Sequence, residues 1–151
     1  MLLVLISLGT IVAFAFKDEI PGVGFTSGLS SSDSAVIAQG EEVYAEYCAS
    51  CHGAGLEGQP NRKVRDTDGF LPAPPHDATG HTRHHDDASL FEIVKQVVAA
   101  FAQIEYETNM LAFEGVLSDE KIHAVLSFIK STWPEHIQER HDQINYRVKG
   151  K

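Results

Sequence analysis

The sequence predicts an all-α domain, and three observations carry that prediction. Apolar side chains recur at three- and four-residue spacing in three separate stretches, each opened by a side chain able to cap a helix. No stretch alternates apolar and polar residues in the manner of a half-buried strand. About 35 residues rich in Gly, Pro, Asp and His join the first two helical stretches, a connection far longer than a small helical core needs, so a non-protein group is expected to organise it.

The chain opens with Met1-Leu2-Leu3-Val4-Leu5-Ile6 and stays essentially apolar through Phe16, with no charge before Lys17. As a helix, residues 1–16 would span roughly 24 Å, short of the roughly 30 Å of a bilayer core, although Ile20 to Phe25 adds length. Residues 1–20 are therefore expected to be a membrane anchor. The alternative is a cleaved export signal ending at Ala13-Phe14-Ala15, which would lack the usual basic beginning. Both readings place the rest of the chain on the extracytoplasmic side, tethered in the first case and soluble in the periplasm in the second. Residues 21–34, rich in Gly and Ser, read as a flexible linker.

The folded domain is expected over 35–134. Asp33 can cap a first helix in which Val36, Gly40, Val43, Tyr44 and Tyr47 share a face. A second helix opens after Asp86-Asp87, with Ser89 and Glu92 at capping-box spacing and Leu90, Ile93, Val94, Val97, Val98 and Phe101 on one stripe. A third begins at Ser118 with Asp119 and Glu120 in its first turn, buries Ile122, Val125, Leu126 and Ile129, and stops at Trp133-Pro134. Residues 135–151 read as a polar tail holding at most a short marginal helix. Trp133 is expected to be a core or helix-ending aromatic.

The formal charge is −9, from 21 acidic and 12 basic residues. Such a field repels nucleic acid and the anionic cytoplasmic leaflet, which excludes a nucleic-acid role. Only two cysteines occur, three positions apart, so they do not form a disulfide framework. They stand in Cys48-Ala49-Ser50-Cys51-His52. That spacing lets two thiols form thioethers to the edge of one porphyrin while the adjacent imidazole reaches the iron. A zinc site would need two further ligands of suitable spacing, and a thioredoxin-like motif would need a βαβ context. The expected cofactor is one covalent haem c, with His52 as an iron ligand.

The sixth iron ligand decides what such a protein does. Met110 is the only methionine outside the apolar leader, it sits between two expected helices, and its thioether is the preferred candidate. His76, His81, His84 and His85 are the rival sixth ligands and would give a lower potential. With Asp77, Asp86 and Asp87 these histidines could instead form a second metal site such as copper, although a solvated loop is the simpler reading. His123, His136 and His141 are expected at the surface.

The chain resembles the class I c-type cytochromes over about Ala35 to Pro134. The resemblance rests on Cys48-Ala49-Ser50-Cys51-His52-Gly53, on Gly58-Gln59-Pro60-Asn61, and on Met110-Leu111-Ala112-Phe113 followed by Leu117-Ser118-Asp119-Glu120-Lys121-Ile122. Leu71 to Asp77 with Gly80-His81-Thr82 is similar to a bacterial subgroup with a single haem. The resemblance implies an all-α fold around the haem, a close crossing of first and last helices at Gly40, and a carbonyl at Pro60 that accepts a hydrogen bond from His52. It also implies His52/Met110 ligation and a single-electron carrier, not an enzyme, with no small-molecule substrate. Redox partners would be a quinol-oxidising complex as donor and a terminal oxidase or photosynthetic reaction centre as acceptor. Two departures stand out. Leu111 replaces the proline usual after the ligating methionine, removing a residue that fixes φ. Arg62 and Arg83 stand where aromatic residues are expected, and an arginine there can pair with a haem propionate. If Met110 is displaced, the alternatives are a haem enzyme or gas sensor; a third is a fixed haem subunit of a larger membrane complex.

Overall fold

A computed structural model describes residues 28–102 and 107–150, with the side chains of 99–102 excepted. The apolar leader and the first half of the expected linker, residues 21–27, lie outside the described residues. The elements in chain order are α1 (Ser34–Tyr47), α2 (Ala49–His52), a single 3₁₀ turn (Thr82–His84), α3 (Asp87–Ala102), α4 (Asp119–Ser131) and α5 (Glu135–Lys149). No strand occurs among the described residues, as the all-α reading expected, and none of their helices is long and apolar enough to cross a membrane.

Helix starts follow local chemistry. The Asp33 carboxylate accepts hydrogen bonds from the Ala35 and Val36 amides at 3.0 and 3.2 Å, satisfying two of the orphan donors of α1. Ser118 caps α4 through the Lys121 amide, with Asp119 and Glu120 in the first turn. At α3 the structure corrects the expected box. Asp86, not Ser89, is the cap: its carboxylate accepts from the Ser89 amide at 3.1 Å and from the Ser89 hydroxyl at 2.6 Å, whereas Glu92 points its carboxylate to Gln96. The acceptor stands three positions before the amide it satisfies, so the cap falls one turn earlier than a Ser/Glu pattern suggests. Further along α3, Val97 is non-helical (φ 65°, ψ 160°), so two helical runs meet there at a kink.

α1 and α4 cross at close quarters. Gly40 sits directly on the Ala124 backbone and beside Phe128, which brings Val43 and Tyr44 of α1 onto Val125, Leu126 and Ile129 of α4 in one core with Leu56, Leu90, Leu117, Ile122, Trp133 and Ile137. The end of the expected linker belongs to this core. Leu29 is buried, its amide donates to Asp87 at 2.9 Å, and its carbonyl accepts from the Lys130 ammonium at 3.3 Å.

α5 is a second departure from expectation, since 135–149 forms a helix of four turns rather than a frayed tail. It is fastened by Ile137, by an ion pair of Asp142 with buried Lys130 (2.5 Å), and by His141. The last is fully buried, against the surface placement expected for it. Its Nε2 donates to the His85 carbonyl at 2.9 Å, its ring packs edge-on against Trp133, and Asn145 bridges it to Asp87. Burial holds its pKa below the usual histidine value, partly offset by Asp87. His136 is exposed, while His123 is half-buried beside Phe91.

Candidate haem-attachment site

Cys48 closes α1 and opens the single turn of α2, so residues 48, 51 and 52 fall on one side of that turn. The turn is held by hydrogen bonds from the Cys51 and His52 amides to the Cys48 carbonyl at 3.1 and 2.9 Å. Both thiols are free, Cys48 half-buried and Cys51 exposed. Burial, reinforced by the neighbouring Cys51, pushes the Cys48 thiol up to about 11, so it lines the site as a neutral group.

His52 is buried. Its Nδ1 donates to the carbonyl of Pro74 at 2.8 Å, which leaves Nε2 as the ring nitrogen free to take a metal. Burial lowers its pKa against the opposing effect of that bond. The acceptor is a correction, since the resemblance pointed to Pro60. The reason lies in the loop: the Gln59 amide donates to the Ala73 carbonyl at 2.9 Å and the Gln59 side chain accepts from the Ala73 amide at 2.9 Å, which lays 72–75 alongside 56–59. Gly58 makes the approach possible. Its φ is +70°, and a Cβ there would stand 2.5 Å from Pro75 N and 2.7 Å from the Pro74 carbonyl carbon. Pro60, one residue past the pairing, is exposed and enters the turn at Asn61 (φ 57°).

His76 stacks on His52 with centroids 4.0 Å apart and planes 26° apart, and its Nδ1 meets Thr82 Oγ1 at 2.7 Å. Burial and the adjacent His52 push it down to about 3, keeping it neutral. The His76 carbonyl accepts from the Trp133 indole at 2.8 Å, tying the long loop to the end of α4. The loop therefore has a hydrogen-bonded frame of its own. Opposite it, the Tyr47 ring meets Phe113 edge-on at 6.1 Å, and the Phe113 amide donates to the Val94 carbonyl, so 110–117 lies along α3. Met110 is half-buried in that segment, with its amide on Thr108 Oγ1. Leu111 is 74% exposed.

Of the remaining expected site residues, His81 contacts His84 and His85 at ring distances of 5.1 and 5.0 Å. Among the described residues no three His, Cys, Asp or Glu side chains are placed to hold a metal ion. Arg83 donates through Nη1 to the Ala78 and Gly80 carbonyls, and exposed Arg62 lies near enough to Asp77 to help lower its pKa.

A family model described as Cytochrome c matches residues 37–133. The chain belongs to the cytochrome c family. Comparison with curated proteins and with solved structures returned no match. As a family member the cytochrome carries a covalently bound haem c and is an electron-transfer protein, not an enzyme. Its residues fit that group. Two free thiols and an imidazole with one nitrogen committed to a carbonyl share one turn, and half-buried Tyr47, Cys48, Val94 and Phe113 pack against the hydrophobic core. The thiols would supply the two thioethers and His52 one axial ligand.

Proposed function

We propose that the cytochrome is a single-electron carrier in which Cys48 and Cys51 hold the haem, His52 and Met110 take its two axial positions, and residues 1–20 tether it to the extracytoplasmic face of a bacterial membrane. The haem supplies one-electron iron chemistry. The chain orients His52 through the Pro74 carbonyl, which raises the basicity of the imidazole. The observation that carries the reading is this Nδ1 bond within one helical turn of both thiols. Met110 is favoured over the histidines as the second residue that would hold the iron because the His76 ring is engaged in stacking on His52, with its Nδ1 on Thr82, and His81, His84 and His85 cluster with one another. The donor is a quinol-oxidising complex and the acceptor a terminal oxidase or photosynthetic reaction centre.

The test is Met110→Ala in the holoprotein. The oxidised wild type shows the weak far-red absorption of methionine–iron(III) ligation and the reduced wild type binds carbon monoxide poorly. The variant loses the band, gains carbon monoxide binding and drops in reduction potential by on the order of a tenth of a volt, within the roughly 0.8 V that axial ligands command. A variant with an unchanged spectrum removes Met110 from the iron, and ready carbon monoxide binding by the wild type replaces the carrier with a gas-binding haem protein.

A further inference from the structure

A cleft of about 370 Å³ lies between α5 and the 3₁₀ turn, lined by Arg83 and His84 from the turn and by Arg140, Gln143 and Arg147 from α5, with Ile137 in its floor. None of these residues is among those assigned above to hold the haem. The spacing Ile137, Arg140, Ile144, Arg147 repeats every three or four positions, so one face of α5 delivers both arginines to the same opening. Arg83 reaches it from the other side, with its Nη1 on the Ala78 and Gly80 carbonyls and its Nε and Nη2 protons left over. Arg147 spends only Nε, on the Gln143 carbonyl at 3.2 Å.

This concentration of cations runs against the chain's balance. In a protein of charge −9 an arginine has no shortage of carboxylates to pair with. Yet among the described residues the ion pairs involve Lys95, Lys130 and His141, and no carboxylate stands within ion-pair distance of Arg83, Arg140 or Arg147. Three guanidinium groups lining one cleft with no ion-pair partner repel one another, and a bound anion would offset that repulsion. The geometry points to a binding site for a phosphate group. A planar carboxylate is matched by one coplanar guanidinium fork, whereas the tetrahedral oxygens of a phosphate, monoester or diester, can accept from forks arriving from different directions. The cleft volume lies in the range of small-ligand sites. The phosphate could be that of a free polyphosphate or of an anionic lipid headgroup.

The experiment titrates the full-length holoprotein at low salt with inorganic pyrophosphate by calorimetry, and separately with vesicles of phosphatidylglycerol or of phosphatidylcholine by co-sedimentation, where only the binding of the wild type in excess of the arginine-pair variant is counted, so that any insertion of residues 1–20 cancels. Arg140→Gln/Arg147→Gln removes two exposed side chains from the cleft; Lys63→Gln/Lys121→Gln removes the same charge from exposed positions elsewhere. Saturable one-to-one pyrophosphate binding is expected, weakened tenfold or more in the arginine pair and by less than twofold in the lysine pair. Such excess vesicle binding that needs phosphatidylglycerol and is competed by pyrophosphate assigns the phosphate to a lipid; pyrophosphate binding with no such excess assigns it to a free anion. Absence of saturable pyrophosphate binding, or equal weakening in both variant pairs, overturns the site.

Discussion

At the scale of single residues, the fold turns on places where backbone meets backbone. Gly40 lets α1 rest on the Ala124 carbonyl of α4, and an added Cβ would press on that carbonyl and stand 2.8 Å from Phe128 Cβ. Two effects oppose each other in Gly40→Ala. Alanine favours the helix by about 0.5–1 kcal/mol, while overpacking costs about 1–3 kcal/mol. Overpacking should win, because the atom met is main chain and cannot rotate aside. The expected outcome is a loss of about 2 kcal/mol in unfolding free energy, read as a lower denaturation midpoint at unchanged slope. The candidate site was legible in the sequence for a similar local reason: Cys48, Cys51 and His52 lie on one turn, and their spacing alone brings them together. Pro74 was not legible, because it lies 22 residues from His52, and the choice between prolines is made by the pairing of Gln59 with Ala73, a contact that leaves no mark in composition or period.

At the scale of elements, α1 and α4 were legible because period and cap agree, whereas α5 was hidden by its own polarity. Its docking residues are Ile137, a histidine and an asparagine, and a histidine on a polar helix reads as surface. In place it is a buried neutral base. Burial, with nearby Lys130 in the same direction, outweighs the Asp87 carboxylate, the His85 carbonyl bond and Asp142, so the folded-state pKa of His141 lies below its unfolded value of about 6.5. The sign follows. In the window below about pH 6.5 the unfolded chain takes up a proton that the folded chain refuses, so stability is complete above the window and falls as pH drops through it toward the folded pKa. His85 and His123, also lowered by burial, act in the same direction. His141→Gln should therefore reduce the slope of unfolding free energy against pH between about 7 and 5 by up to about 1.4 kcal/mol per pH unit, without abolishing it. Denaturant titrations of wild type and variant across that range measure the difference, and parallel curves would show that His141 takes no part in the linkage.

At the scale of the whole molecule, the charge is distributed unevenly. Glu41, Glu42 and Glu46 are exposed along α1 and Asp119 and Glu120 at the start of α4, while unpaired arginines collect on the far end of the chain at α5. The long loop, whose length led to the expectation that a non-protein group organises it, is framed by its own hydrogen bonds and by Trp133. It joins the cysteine turn to the end of α4. A net acidic electron-transfer protein should react with small redox reagents according to their sign. Attraction raises the encounter rate of a cationic reagent and repulsion lowers that of an anionic one, and salt screens both, with a Debye length falling from roughly 30 Å at 0.01 M to roughly 10 Å at 0.1 M. Stopped-flow oxidation of the reduced holoprotein should therefore slow severalfold for a cationic complex over that range of salt and quicken for an anionic one of similar potential. Equal salt dependence for the two would mean that the haem edge feels the local arginines and glutamates in balance, and that the net charge of −9 does not steer its partners.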